Sequence, residues 1–190
     1  MKSVTTKARN NLPKETLRPG RRQFLKTAMK AGALLALPQV IPSSALGKAG
    51  AVAPSERITL GAIGIGGRGS YVLGCFLHEE DLQCIAVCDV RGDRRKRAKD
   101  MADARYGNHD CAAYIDMREL LARDDIDALL IATGPNWHAT ASIMAAKAGK
   151  DVYCEKPCTK NIAQSLALAD VFRRTGRVFQ AGTQRRSLPN

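Results

Sequence analysis

The chain has 190 residues, of which 45% are hydrophobic and 25% charged, values typical of a globular protein and too apolar for a disordered one. No apolar run approaches the roughly 18 residues of a membrane-spanning helix, which excludes a polytopic membrane protein. The net charge of +12 is uneven, because residues 1–57 carry eleven Lys and Arg against two Glu. The remaining residues have a net charge of only +3, so we expect no nucleic-acid partner.

The N-terminal segment has the three parts of an export signal. Residues 1–26 are polar and basic, residues 28–41 are moderately apolar, and small residues follow over 43–47. The pair Arg21-Arg22, followed by Phe24-Leu25-Lys26, resembles the twin-arginine signal of bacteria, which a receptor reads and which anchors nothing. The alternative is an amphipathic basic surface helix.

We therefore predict a twin-arginine export signal over residues 1–47, cut after Ala45 or Gly47, and a linker over 48–56. The protein is expected to be periplasmic or secreted, to use the twin-arginine export machinery, and to have no stable membrane anchor. Because this route carries folded proteins, any cofactor is expected to bind before export.

Residues 57–190 alternate short apolar runs with helical segments. Strands are predicted over 58–63, 83–88, 128–132, 151–154 and 177–181, and helices over 71–77, 91–105, 139–148 and 162–174. Strands separated by helices of about ten to fifteen residues imply right-handed crossovers and a parallel sheet. The predicted fold class is α/β.

A glycine-rich loop follows the first predicted strand. The segment Gly64-Ile65-Gly66-Gly67-Arg68-Gly69 matches G-x-G-x-x-G, in which the glycines allow a tight turn, close approach of a pyrophosphate and close helix packing. Asp89 ends the second strand twenty residues beyond Gly69, where a carboxylate accepts hydrogen bonds from the adenosine ribose. These features predict a doubly wound parallel Rossmann sheet over 57–190.

The same carboxylate would repel the 2′-phosphate of NADP, so NAD is the expected cofactor and NADP is less favoured. Arginine near this position can accommodate a 2′-phosphate, which leaves Arg91 and the basic run over 94–97 as an alternative. We interpret that run as a solvated helix face.

Two polar segments follow later strands, at the carboxyl edge where open α/β sheets bind ligands. The first is residues 132–138, including His138, and the second is Cys154-Glu155-Lys156-Pro157. A lysine beside a nicotinamide could orient a substrate and polarise its hydroxyl or carbonyl. The alternatives are that Lys156 is a surface lysine in a turn and that His138 is satisfied by the backbone at a helix N-terminus.

In this order, the motifs resemble the N-terminal half of the glucose-fructose oxidoreductase/inositol dehydrogenase/rhizopine-catabolism (Gfo/Idh/MocA) family, from about Ile58 to the C-terminus. The most specific element is Glu155-Lys156-Pro157. The resemblance implies oxidation of a sugar or cyclitol hydroxyl by hydride transfer to NAD(P), with Lys156 as the catalytic lysine. It further implies phosphate contacts at Gly64, Gly66, Gly67, Arg68 and Gly69, a ribose contact at Asp89, and contacts near the nicotinamide half at Thr133, Pro135, Asn136, His138, Glu155 and Lys156.

Two features depart from the family or compete with its usual activity. One branch hydrolyses glycosides through transient oxidation by NAD, but its lysine-bearing turn differs from Glu155-Lys156-Pro157, so we favour a dehydrogenase. The family's C-terminal α/β domain is absent from this chain, which ends at Asn190. We therefore expect a truncated chain or a partner that completes the cleft, with a non-catalytic nucleotide-binding fragment as the alternative. Exposed sheet edges favour a homo-oligomer.

The cysteines and histidines predict no metal site. Two C-x₃-C spacings occur instead of the C-x₂-C pairs of zinc sites, and three histidines form no cluster. The six cysteines are expected to be buried small apolar residues. Cys84 and Cys88 are expected to face the same side of their strand.

Overall fold

The computed structural model describes residues 52–187. The predicted export signal over 1–47 lies outside the described residues, as does the first part of the predicted linker. Within the described part of the chain, no helix is long and apolar enough to cross a membrane.

Six parallel strands form one sheet in the spatial order β3-β2-β1-β4-β5-β6. The strand order reverses between β1 and β4, which is the switch point at which doubly wound sheets bind ligands. The predicted Rossmann architecture is confirmed. The strands are β1 Ile58–Ile63, β2 Leu82–Cys88, β3 Ala112–Tyr114, β4 Ala128–Ile131, β5 Asp151–Glu155 and β6 Phe179–Gly182.

Helices cover both faces of the sheet. They are α1 Gly67–Phe76, α2 Gly92–Tyr106, α3 Met117–Leu121, α4 Pro135–Lys147 and α5 Ile162–Thr175. Helices α1 and α2 pack on one face, where Leu60 and Leu130 are buried. Helices α3, α4 and α5 pack on the other, where Ile63 and Ile131 are buried. Because adjacent strand residues point to opposite faces, short apolar runs supply both cores.

Two elements of the fold are absent from the sequence prediction. Strand β3 has only three residues and no long apolar run, and its pairing with β2 places it at the sheet edge. Helix α3 has five residues and is capped by Asp116, whose side chain accepts a hydrogen bond from the Arg118 N–H. Both are too short for a periodic pattern to be recognised.

Two helices begin earlier than predicted, at the positions that matter for the site. Helix α1 begins at Gly67 and α4 begins at Pro135, each four residues before its predicted start. Proline favours the first helical position because it has no N–H to satisfy there. The polar residues that follow Pro135 concealed this start.

The prediction that Cys84 and Cys88 share a face is wrong. The register of β1 with β2 shifts so that consecutive residues Leu60 and Gly61 pair with Cys84 and Ala86, leaving Ile85 as an extra residue. One extra residue reverses the alternation of side chains beyond it. Cys84 therefore packs under α1 and α2, whereas Cys88 packs under the opposite helices.

Not all of the six cysteines are buried. Four are buried as predicted, but Cys75 is exposed on the outer side of α1 and Cys158 is half-buried, which corrects the prediction for these two. Burial raises the pKa of the Cys154 thiol to about 12, and burial with the charge of Asp89 raises that of Cys88 to about 11. These two buried cysteines are protonated near neutral pH and unreactive. The buried four are Cys84, Cys88, Cys111 and Cys154.

Candidate functional site

A cavity of about 510 Å³ lies at the carboxyl edge of the sheet, around the switch point between β1 and β4. Loops from both halves of the fold form its walls. Seven of the residues singled out from the sequence line it: Gly64, Gly66, Gly67, Arg68, Gly69, Asp89 and Thr133. Among residues 52–187, no group of three His, Cys, Asp or Glu side chains could hold a metal ion.

The glycine loop is shaped by contacts that only glycine permits. Gly64 has a φ of +81°, and a Cβ at this position would lie 2.6 Å from the Thr133 Cα. A Cβ at Gly69 would lie 2.5 Å from the Gly64 carbonyl oxygen. The loop after β1 is therefore pressed against both the loop after β4 and its own helix, which explains the first and third glycines of the motif.

The N-terminus of α1 provides an anion site within this cavity. Gly66 caps the helix without any side-chain hydrogen bond, and the first helical residues Gly67, Arg68 and Gly69 line the cavity. First-turn N–H groups have no intrahelical partner, and the helix dipole favours negative charge there. This cradle fits the pyrophosphate of a dinucleotide.

Asp89 lies at the end of β2 and is 6% exposed. Its Oδ1 accepts a hydrogen bond of 2.9 Å from the Arg91 N–H, which orients the carboxylate. Its Oδ2 receives no hydrogen bond from the residues that the structure describes, and the side chain lines the cavity. This second oxygen can therefore accept hydrogen bonds from ribose hydroxyls.

The basic run at the start of α2 is not simply a solvated face, so that interpretation is corrected. Arg94 lines the cavity, and its Nη1 lies 3.3 Å from where a Cβ at Gly66 would stand. Arg95 donates to the Asp89 carbonyl at 2.7 Å, and Arg97 donates to a side chain of α1. These contacts arise because α2 follows Asp89 directly, which brings its first turns over the glycine loop. Lys96, paired with an aspartate one turn along, and Arg91, in an exposed pair with Asp93, do fit the solvated description.

The segment after β4 contributes unequally to the cavity. Thr133 and Trp137 line it; Trp137 lies within the predicted segment 132–138, although no role was assigned to it from the sequence. Pro135 and Asn136 are exposed on the first turn of α4. His138 lies behind the cavity wall and is 2% exposed.

His138 joins two loops rather than facing the cavity. Its Nε2 lies 2.7 Å from the Thr133 carbonyl oxygen, and its Nδ1 lies 2.7 Å from the Pro157 carbonyl oxygen. The ring thus links the segment after β4 to the turn that follows Lys156. The backbone contacts agree with the interpretation of this histidine as satisfied by main-chain groups.

Glu155 and Lys156 end β5 in very different surroundings. Glu155 is 3% exposed and accepts hydrogen bonds from Arg68 Nε at 2.9 Å, Gln184 Nε2 at 2.6 Å and the Lys156 N–H at 3.2 Å. Lys156 is exposed, and its ammonium has no partner among residues 52–187. The carboxylate is therefore held inside the protein, whereas the ammonium is available to a ligand.

Burial alone raises the pKa of Glu155, but hydrogen bonds from Gln184 and Arg68 outweigh it and hold the pKa below its usual value. A lowered folded-state pKa means that the stability contributed by Glu155 is present above the unfolded pKa of about 4.3 and is lost as pH falls through the folded value. We expect Glu155→Gln to be less stable than the parent protein at neutral pH. Urea unfolding should show this difference shrinking towards about pH 3; a difference constant with pH would contradict the ion pair's role.

Comparison with known proteins agrees with this geometry. Residues 58–183 match the family described as an oxidoreductase family with an NAD-binding Rossmann fold. A scyllo-inositol dehydrogenase from Lactobacillus casei, solved with NAD(H) and scyllo-inositol, shares the fold with a TM-score of 0.62 at 23% identity. The likeness covers 70% of this chain and 38% of that one.

Curated relatives include a glycosyl hydrolase family 109 protein of Saccharopolyspora erythraea, 33% identical over 175 residues. The α-N-acetylgalactosaminidase of Shewanella oneidensis is also 33% identical, over 174 residues. The matches cover 83% and 82% of this chain, but the chain spans only 37% of either relative. The family match over residues 58–183 includes the glycine loop and Asp89, and the chain belongs to the Gfo/Idh/MocA family of NAD-binding oxidoreductases.

Proposed function

We propose that the chain is the cofactor-binding part of an exported enzyme that oxidises a sugar or cyclitol hydroxyl by hydride transfer to NAD. The observation that carries the proposal is the alignment of three features at one edge of the sheet. The uncapped N-terminus of α1, Asp89 and the exposed Lys156 all follow the ends of strands. The first two line the cavity and Lys156 does not, and we assign the three to the phosphate, ribose and reacting ends of one dinucleotide.

Each of these residues has a distinct role in the proposed reaction. The α1 N-terminus holds the pyrophosphate, and Asp89 holds the adenosine ribose. NAD, when bound, supplies the hydride acceptor. The Lys156 ammonium donates a hydrogen bond to the substrate oxygen, which orients the hydroxyl and stabilises negative charge there. The hydroxyl proton passes to a base supplied by the substrate half of the cleft.

The substrate half of the cleft is proposed to come from a further α/β domain or from a partner. Lys156 is exposed, so it is accessible to a domain that closes over the carboxyl edge. Export through residues 1–47, and hence a periplasmic or secreted location, is part of the same proposal and rests on the twin-arginine motif.

A second candidate is glycoside hydrolysis through transient oxidation by bound NAD. The names of the curated relatives favour it. The Glu155-Lys156-Pro157 turn favours the dehydrogenase instead. Both candidates need the NAD site, and they differ in whether NADH accumulates during turnover. A non-catalytic nucleotide-binding module is the remaining alternative.

The test is Lys156→Met, with Lys160→Met as a matched control on an exposed lysine of the same loop. In the enzyme assembled with the domain or partner that completes the cleft, and with sugars and cyclitols as substrates, Lys156→Met should lower the rate of NADH formation by roughly 10²–10⁴-fold. NAD affinity should change little. An unchanged rate would contradict the proposed role of Lys156.

Hydrolysis of an aryl glycoside without net NADH formation would establish the second candidate instead. An assembled protein, with the domain or partner that completes the cleft, that binds NAD but neither forms NADH nor releases the aryl group would point to the non-catalytic module.

A further inference from the structure

We propose that Glu155 is a positioning residue that, through Arg68, locks the phosphate-binding loop and the Lys156 turn into one unit. This inference rests on the proposed function and deepens it. Arg68 lies in the first turn of α1, at the end of β1, and Glu155 ends β5. Their side chains meet although 87 residues separate them in the chain.

The ion pair between Arg68 and Glu155 crosses the carboxyl edge of the sheet next to the switch point. In the sheet, β4 lies between β1 and β5, so the pair reaches across two strand spacings, a distance of roughly 10 Å. Arg68 is also fixed from another direction, because its guanidinium lies 5.2 Å from the centre of the Tyr71 ring. The arginine is thus directed along the loop towards β5.

The carboxylate end of the pair is firmly held. The Glu155 side chain is 4% exposed and accepts from three donors on three segments: Arg68, the Lys156 N–H and Gln184. Gln184 also donates to the Tyr153 hydroxyl at 2.6 Å. A buried carboxylate that loses a charged partner is strongly destabilised. Movement of Arg68 is therefore resisted by Glu155, and movement of Glu155 is resisted by the other two donors.

The Lys156 turn is held on both sides. The hydrogen bond from its own N–H ties the start of the turn to Glu155, and the contact between His138 and the Pro157 carbonyl ties the end. The lysine side chain therefore emerges from a backbone whose position depends on the glycine loop. A phosphate held by that loop would then set where Lys156 stands relative to the other end of the same cofactor.

The experiment is a double-mutant cycle on affinity, using Arg68→Met, Glu155→Gln and their combination in the full chain. Titration with NAD is compared with titration with adenosine, which reaches Asp89 but carries no phosphate. We expect each single change to weaken NAD binding by about 10-fold, and the double variant by about 10-fold rather than about 100-fold. Adenosine affinity should stay within about twofold, because the Asp89 side is untouched.

Asp103→Asn is the matched control. Asp103 is also a buried carboxylate, 9% exposed at its side chain and paired with Lys99 at 2.8 Å, but it lies towards the far end of α2. This variant should lower stability and leave both affinities unchanged. Glu155→Asp, which keeps the charge on a shorter side chain, replaces Glu155→Gln in the cycle if the amide variant does not fold.

Three results would overturn the inference. Additive losses for NAD would show that Arg68 and Glu155 act separately. Equal losses for NAD and adenosine would show a general structural effect. Failure of the parent protein to bind NAD would remove the proposed function together with this inference, whereas additive losses in a protein that binds NAD would remove the inference alone.

Discussion

Gly64→Ala is expected to eliminate measurable NAD binding and to lower the free energy of unfolding by about 2–5 kcal/mol. The glycine has a φ of +81°, which strains an alanine backbone, and the added Cβ would lie 2.6 Å from the Thr133 Cα. Because that contact is with backbone, relief requires the loops after β1 and β4 to separate. These loops form two walls of the cavity, so the cradle for the phosphates would be lost. Urea unfolding and calorimetric titration with NAD measure the two effects.

The variant Gly107→Ala is the control that has the backbone strain of Gly64→Ala without its steric clash. Gly107 also has a positive φ, +66°, but an added Cβ would meet no atom within 4 Å, and it ends α2 away from the cavity. Its alanine variant should lose only about 1 kcal/mol and should bind NAD normally. Equal effects of the two substitutions would show that the close approach of Gly64 to Thr133 is unimportant.

Asp89→Ala is expected to weaken NAD binding by about 10–100-fold, the range for hydrogen bonds to a charged group. The loss should be smaller for NADP, since removal of the carboxylate also removes its repulsion of a 2′-phosphate, and Arg94 lies nearby in the same cavity. The ratio of the NAD and NADP dissociation constants, measured by titration, should therefore shift towards NADP.

Asp93→Ala is the control for this substitution. Asp93 lies near the start of α2 and forms an exposed pair with Arg91 at 2.9 Å. Its removal should leave both cofactor affinities unchanged. An Asp89→Ala protein with the NAD affinity of its parent would show that Asp89 does not hold the ribose.

The main strands of the fold could be predicted because each buried strand is a continuous apolar run ending at a loop. Strand β3 and helix α3 could not, because three and five residues are too few to show a period. The sheet faces to which Cys84 and Cys88 point could not be predicted, because the bulge at Ile85 depends on how β2 pairs with β1. No local sequence pattern reveals that pairing.

The candidate site, like the fold, has residues that the sequence predicts and residues that it does not. The glycines and Asp89 could be predicted because backbone conformation and position at a strand end dictate them locally. The pairing of Arg68 with Glu155 could not, since it links residues brought together only by the sheet order. Trp137 lies in the predicted segment 132–138, but no role could be assigned to it because α4 begins earlier than its sequence pattern indicates. The proline at the first helical position is the signal for that early start.

Calorimetric titration of the chain with NAD and with NADP tests most directly whether this cavity is a dinucleotide site. Saturable binding of one NAD per chain, tighter than NADP, is the expected result, because the cradle of α1 and the carboxylate of Asp89 are both in place. Absence of NAD binding by the folded protein, or a clear preference for NADP, would contradict the roles assigned to these two features.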